Sequence, residues 1–274
     1  MTEQTILVTG STDGIGKAAA RLLAEQGHRV LIHGRDPTKG RAVLAELKAA
    51  TGSDRLSLFI GDLSVQEQVR RLAREVGDAH DRLNVLINNA GVFMPERAVA
   101  PGGVEMTVAV NFLAPFLLTH DLRPLLMESA PARVVNVASI AHRSVRSVDW
   151  ENLPGFQNYD AYDAYAVSKL GAVAFTVQLA RRLEGKGVTA NSLHPGVTDT
   201  KLLRAYTGGR DGGAPPEHGA EVEAYLAVSP DAGRMNGGYF EETRWARPSA
   251  LALAPGFRER FWEMGRDLTG TGRW

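Results

Sequence analysis

Thr5-Ile6-Leu7-Val8-Thr9-Gly10-Ser11-Thr12-Asp13-Gly14-Ile15-Gly16 stands almost at the head of the chain. Thr5 to Val8 is short, apolar and β-branched, which predicts a buried strand. A glycine loop follows, and over 17–26 Ala and Leu recur on one face of a helix. Strand, glycine loop and helix in this order make a turn that holds a phosphate. Gly10 permits the tight turn, Gly14 lets backbone approach a pyrophosphate, and Gly16 lets the helix pack close to the strand. The helix start adds N–H groups and the positive end of a dipole. Glycine loops join many strands to helices, so this one takes its meaning from the chain around it.

Working outward, strands are predicted over 29–33, 55–60, 83–87, 133–137, 188–193 and 239–240. Helices are predicted over 38–49, 65–76, 104–127 and 162–183, with Thr38 and Ser64 as caps of the first two. Short apolar strands alternating with helices predict an α/β fold: one Rossmann-type, doubly wound parallel sheet with helices on both faces. No linker or repeat divides the chain, so 1–274 reads as one dinucleotide-binding and catalytic domain. Ligands are expected beyond the carboxyl ends of the strands, where Gly10, Arg35, Asp62, Asn88, Ser139 and Pro195 fall. The Gly- and Pro-rich stretch 207–219 belongs to an expected pocket lid over about 197–225. Leu202, Leu203 and Tyr206 in that lid suggest an apolar or aromatic substrate.

Composition narrows the function classes. Lys and Arg number 31, as do Asp and Glu, so no basic excess points to nucleic acid and no charge block to a membrane surface. The chain has no Cys, which excludes disulfides, thiolate metal sites and Cys nucleophiles. No His spacing suggests a metal, and none is expected. The first apolar run begins within a few residues and ends in the glycine loop. No signal peptide is expected before it, and a cytoplasmic location is the default.

Tyr165-Ala166-Val167-Ser168-Lys169 carries the candidate chemistry. On a helix, positions four apart share a face, so phenol and ammonium point the same way. A phenol ordinarily releases its proton near pH 10; a neighbouring cation is expected to lower that value into a useful range. Tyr159 and Tyr162 compete for the role but are followed four residues on by Asp163 and Ala166. His142, close to Ser139, reads as packing, with contact to substrate as its minor alternative. His194 reads as a packed or capping residue, and Trp150, Phe156, Phe240 and Trp245 read as packing.

Taken together, Thr9-Gly10 with Gly14-Ile15-Gly16, Asp62-Leu63, Asn88-Asn89-Ala90-Gly91, Asn111, Ser139, Tyr165 with Lys169, and Pro195-Gly196 resemble the short-chain dehydrogenase/reductase family over the whole chain. The long spacer from Ser139 to Tyr165 and the run Ser168-Lys169-Leu170 resemble its retinol-dehydrogenase-like branch. No counterpart of the N-terminal membrane anchor of many retinol dehydrogenases is expected here, so retinoid itself is not the expected substrate. The resemblance implies a catalytic tetrad of Asn111, Ser139, Tyr165 and Lys169. Tyr165 would pass the proton, Ser139 would bond the reacting oxygen, and Lys169 would also hold the nicotinamide ribose. Asn111 would bend its helix and hold a water. The cofactor would lie along Gly10, Ser11, Thr12, Asp13, Gly14, Ile15 and Gly16. Asp62 and Leu63 would meet adenine, and Asn89, Ala90 and Gly91 the adenosine ribose. Pro195, Gly196, Thr198 and Thr200 would meet the carboxamide. Homodimers or homotetramers through the helices bearing Asn111 and Tyr165 are implied as well.

NADP is expected over NAD. An acidic residue ending the second strand would favour NAD, but that position is Gly34, followed by Arg35, which can hold a 2′-phosphate. Lys17 offers a second cation, and Asp36, just before Pro37, reads as turn chemistry. The function expected is interconversion of a small carbonyl compound and an alcohol. A catalytically silent NADP-binding redox sensor is the alternative from another class. An epimerase or dehydratase is the alternative within the family.

Overall fold

The computed structural model describes residues 2–153, 155–272 and 274. The strands are β1 (Thr5–Val8), β2 (Arg29–Gly34), β3 (Leu56–Ile60), β4 (Val85–Asn88), β5 (Ala132–Val137), β6 (Val188–His194), β7 (Tyr239–Glu241) and β8 (Arg244–Ala246). They form one sheet in the order β3-β2-β1-β4-β5-β6-β7-β8. Every neighbouring pair is parallel except β7 and β8. The centres of β1 and β2 are apolar because both faces of the sheet are covered: Ile6, Leu7, Val8, Val30, Leu31 and Ile32 are fully buried. The strand order reverses between β1 and β4, which opens a crevice at their carboxyl ends.

In chain order the helices are α1 (Gly14–Glu25), α2 (Pro37–Thr51), α3 (Gln66–Ala79), α4 (Met106–Val108), α5 (Ala114–Glu128), α6 (Ala161–Arg182), α7 (Lys201–Tyr206), α8 (Pro216–Val228), α9 (Ala250–Leu253) and α10 (Pro255–Thr269). One apolar cluster seals α1, α2 and α8 to the sheet; a larger one seals α3, α5 and α6 to the other face. Among the described residues no helix is long and apolar enough to cross a membrane.

Local chemistry departs from expectation at two helix starts. Asp36, not Thr38, caps α2, its carboxylate accepting from the Thr38 and Lys39 amides at 2.8 and 3.1 Å. Pro37 then occupies the first turn, where a missing N–H costs nothing. Ser64 does not cap α3, because its amide and hydroxyl both donate to Asp62 Oδ1, at 2.9 and 2.7 Å. Between α4 and α5 the chain makes a π-helical turn, Ala109–Leu113, centred on Asn111. The helix therefore widens where a bend was expected.

The C-terminal third holds the elements least expected. α8 is buried on nearly all sides, so its sequence shows no one-sided apolar period. β8 is short and exposed. α10 lays Phe261 and Trp262 on Phe112, Phe116 and Phe175, and Trp274 meets Trp262 in a tilted pair with ring centroids 4.5 Å apart. The aromatic side chains of α5 and α6 thus carry the chain's own C-terminal segment.

The stretch 197–225 divides in two. Asp199 N donates to Ala214 O and Ala214 N to Val197 O, both at 2.8 Å, closing residues 199–213 into a flap that carries α7. From Pro216 onward the chain is α8, packed on α1 and the sheet.

Candidate active site

A cleft of about 510 Å³ opens at the carboxyl ends of β1, β2, β4, β5 and β6. Most residues assigned to the site line it: the glycine loop, Arg35, Asp62 and Leu63, Asn89 to Gly91, Ser139, Tyr165, Lys169, and Pro195, Gly196, Thr198 and Thr200. Ser11 and Asn111 do not. Ser11 is fully buried; its hydroxyl donates to Val8 O at 2.8 Å and accepts from His33 N at 2.9 Å. Its hydroxyl braces the loop from behind and does not face the cleft.

The glycine loop is shaped by what it cannot hold. A Cβ on Gly16 would fall 2.2 Å from Asn89 Nδ2 and 2.8 Å from Gly10 O. Asn89 in turn donates to Thr9 O at 2.7 Å, tying the end of β4 to the loop. Helix α1 starts here with Asp13 as cap, and Ile15 and Gly16, first-turn residues whose N–H groups no helical carbonyl accepts, line the cleft. Asp13 also bridges Lys39 and Lys201 at 2.5 and 2.7 Å, which with the amide of Gly14 holds its carboxyl down at about 2 against burial.

His33, not singled out from sequence, locks this region. Its Nδ1 accepts from Gly10 N at 3.1 Å, and its Nε2 lies 3.0 Å from Gly61 O. That arrangement needs neutral imidazole with the proton on Nε2. Burial holds the imidazole down from 6.5 to about 4. The folded chain therefore refuses a proton that the unfolded chain takes up near 6.5. The stabilisation is full above that pH and fades as pH falls toward 4. The gap corresponds to about 3 kcal/mol. Comparing urea unfolding of the parent and His33→Gln between pH 7 and 4.5 should show a shallower loss in the variant. Equal losses would remove His33 as the group responsible.

Tyr165 and Lys169 leave the same face of α6, with Lys169 Nζ 5.7 Å from the phenol ring centre. Ser139 ends the turn after β5 and faces the phenol. The expected depression of the phenol is not what this site produces. Burial pushes Tyr165 up to about 12, with Ser139 opposing only partly. Lys169 is itself buried and held down at about 8, and its Nζ donates to Val137 O at 2.8 Å. Burial therefore outweighs the effect of the neighbouring cation, and the phenol keeps its proton at neutral pH.

Asn111 lies behind the cleft, its Oδ1 accepting from Val92 N at 2.8 Å and its Nδ2 donating to Val92 O at 2.9 Å and Ser168 Oγ at 3.1 Å. It fastens the loop after Gly91 to α6. His142 is fully buried, with Nδ1 2.7 Å from Ser139 O and Nε2 accepting from Ser249 N at 3.1 Å. It braces the Ser139 turn and does not line the cleft, so the alternative of substrate contact falls away. His194 does line it, held down at about 4 by burial.

Past Tyr165 the cleft is apolar. Phe93 meets Tyr165 and Tyr206 at 5.7 and 5.2 Å between centroids, and Tyr162 meets Tyr206 at 6.0 Å. Leu202, Ile140 and Val197 complete this end. Tyr206 arrives from α7, so the flap forms one wall. Arg204 steadies the flap through Asp199 and Asp211 at 2.9 and 3.1 Å.

The short chain dehydrogenase family model matches residues 4–210. Retinol dehydrogenase 11 of Homo sapiens is 38% identical over 97% of this chain and 86% of its own length. An uncharacterized protein from Mycobacterium paratuberculosis superposes with a TM-score of 0.82 at 29% identity, covering 98% of this chain and 94% of that one. The RhlG/NADP active-site complex of Pseudomonas aeruginosa superposes with a TM-score of 0.72 at 30% identity, covering 88% and 95%.

Proposed function

The chain belongs to the short-chain dehydrogenase family, in its retinol-dehydrogenase-like branch, and is an oxidoreductase that interconverts carbonyl compounds and alcohols with a nicotinamide cofactor; on that premise we propose that it uses NADP(H), with Tyr165 as the acid and base, on an apolar or aromatic substrate. One observation carries this reading: a buried, protonated phenol at the junction between the glycine-loop half of the cleft and its apolar half.

The cleft suits the cofactor. Its loop has no room for a side chain at Gly16, and the first turn of α1, whose N–H groups suit a pyrophosphate, lines the cleft. Asp62 and Leu63 would hold adenine, Asn89 to Gly91 its ribose, Lys169 the nicotinamide ribose, and Pro195, Gly196, Thr198 and Thr200 the carboxamide. The bound cofactor supplies or accepts the hydride. Tyr165 gives its proton to the carbonyl oxygen in reduction and takes one from the alcohol in oxidation. Holding that proton at neutral pH equips the phenol for reduction. Ser139 donates a hydrogen bond to the same oxygen as negative charge gathers there. Asn111 keeps the loop and α6 in register. The substrate end presents rings and aliphatic chains, which favours uncharged apolar molecules. Turnover of NADPH with a panel of ketones, quinones and aldehydes tests the assignment; silence across the panel with NADPH still bound would overturn it.

The cofactor preference rests on the end of β2. A Cβ on Gly34 would fall 2.5 Å from Thr12 Cγ2, so an acidic side chain has no place there. Arg35 lines the cleft next to it. Lys17, expected as a second cation, is instead paired with Glu46 at 2.7 Å. Lys39 is likewise paired, with the cleft-lining Asp13. A charge-assisted phosphate contact is worth about 1.5–3 kcal/mol. Arg35→Ala should therefore weaken NADPH about ten- to a hundred-fold and leave NADH within a few-fold. A parent enzyme that prefers NADH, or an unchanged ratio in the variant, would refute the reading.

A further inference from the structure

Glu223 on α8 has no part in the roles described so far. Its side chain is fully buried, and among the described residues neither carboxyl oxygen meets a hydrogen-bond partner. Such a group is costly to keep in a fold and calls for an explanation. α8 packs on α1, β4, β5 and β6, with Val222, Ala224, Leu226 and Val137 in one apolar cluster.

The charges near α8 are mostly engaged elsewhere. On α1, Lys17 pairs with Glu46 and Arg21 with Glu25. Arg133 on β5 donates to Leu226 O and Ser229 O, at the far end of α8. His194 on β6 is held neutral by burial. Glu217 and Glu221 on α8, and Asp231 and Arg234 after it, are exposed. The opposite charge that Glu223 senses is Lys169.

Lys169 comes from α6, on the other face of the sheet, and donates to Val137 O at the end of β5. The Val137 side chain belongs to the cluster under α8. Val137 thus links the two elements: its carbonyl accepts from Lys169, and its side chain shares the apolar cluster of α8, the helix that carries Glu223. Burial pushes Glu223 up to about 8 and Lys169 down to about 8, and each draws the other back toward its ionised form. The two titrate as a coupled pair.

We propose that Glu223 is a positioning residue for Lys169: a carboxyl behind the sheet that keeps the lysine protonated as pH rises and so sets the alkaline limit of turnover. This rests on the reading of Lys169 as part of the active site. Losing the carboxylate should let Lys169 give up its proton about one pH unit earlier or more.

The test uses Glu223→Gln and Glu223→Leu in the full chain. Lysine side-chain NMR follows the Lys169 titration, its signal identified by its loss in Lys169→Met. Both Glu223 variants should show a lower Lys169 midpoint, with the alkaline limb of kcat moving by the same amount. An unchanged midpoint overturns the proposal and leaves the proposed function standing, since the NMR readout needs no turnover. A moved midpoint with an unmoved limb overturns the link to turnover. Stability gives a second readout. An acid raised from 4.5 to about 8 on folding loses stability as pH climbs through that range. Glu223→Leu should therefore exceed the parent in Tm by a margin that widens from pH 5 to 8. A margin flat with pH would contradict a carboxyl buried without partners.

Discussion

Tyr165→Phe is expected to lower turnover by about 10²–10⁴-fold while the cofactor still binds. The substitution removes one oxygen from a side chain already packed against Phe93 and Ala166, so the cleft keeps its shape. What goes is the proton that must reach the carbonyl oxygen as hydride reaches the carbon. Ser139 remains and still donates a hydrogen bond, so activity falls far but not to nothing. NADPH titration and steady-state turnover on the same preparation check this. Activity within a few-fold of the parent would remove Tyr165 as the acid and base. A collapse of NADPH affinity would show that the phenol acts mainly in binding.

Lys169→Ala should lower both quantities. Lys169 is buried, donates to Val137 O and lies beside Gly91, whose Cβ would stand 3.4 Å from Nζ. The proposed function has it hold the nicotinamide ribose, and its Nζ, 5.7 Å from the phenol ring centre, also brings positive charge near Tyr165. Loss of a charged hydrogen bond of about 1.5–3 kcal/mol predicts a cofactor Kd about ten- to a hundred-fold higher. Turnover with saturating cofactor should fall further, by about 10²-fold or more. Lys169→Met fills the space left by the stem and should behave alike. An unchanged Kd in both variants would end the ribose role. Unchanged turnover would end the electrostatic one.

Much of this was legible from residue order. Local spacing decides whether Thr5 to Gly16 can be strand, loop and helix, and whether Tyr165 and Lys169 share a face. Ser139 and Pro195 reach the cleft because they end strands, and strand ends in a parallel sheet gather on one rim. What spacing does not report is burial. The depression expected for Tyr165 assumed a solvated phenol beside a solvated ammonium; both groups are buried, and desolvation moves each toward its neutral form. Ser11 belongs to a loop whose other members face the cleft, but its hydroxyl is spent on Val8 and His33. His33 and His142 read as ordinary strand-end and loop residues, because their backbone partners are distant in sequence. Glu223 sits two residues from Glu221 and reads as part of a solvated face; only the layer of α1 and sheet around α8 reveals that it is enclosed. α10 and Trp274 pack as a second layer on α5 and α6, a contact that no local period encodes.

The central claim is that this cleft moves hydride between NADP(H) and an apolar carbonyl or alcohol, with Tyr165 handling the proton. NADPH deuterated at its transferable nicotinamide position, incubated with a carbonyl compound that the parent enzyme reduces, tests it most directly. The account predicts an alcohol carrying one deuterium on the former carbonyl carbon, formed faster than with deuterated NADH and almost absent with Tyr165→Phe. Alcohol without deuterium, or deuterated alcohol formed equally well by Tyr165→Phe, would contradict it.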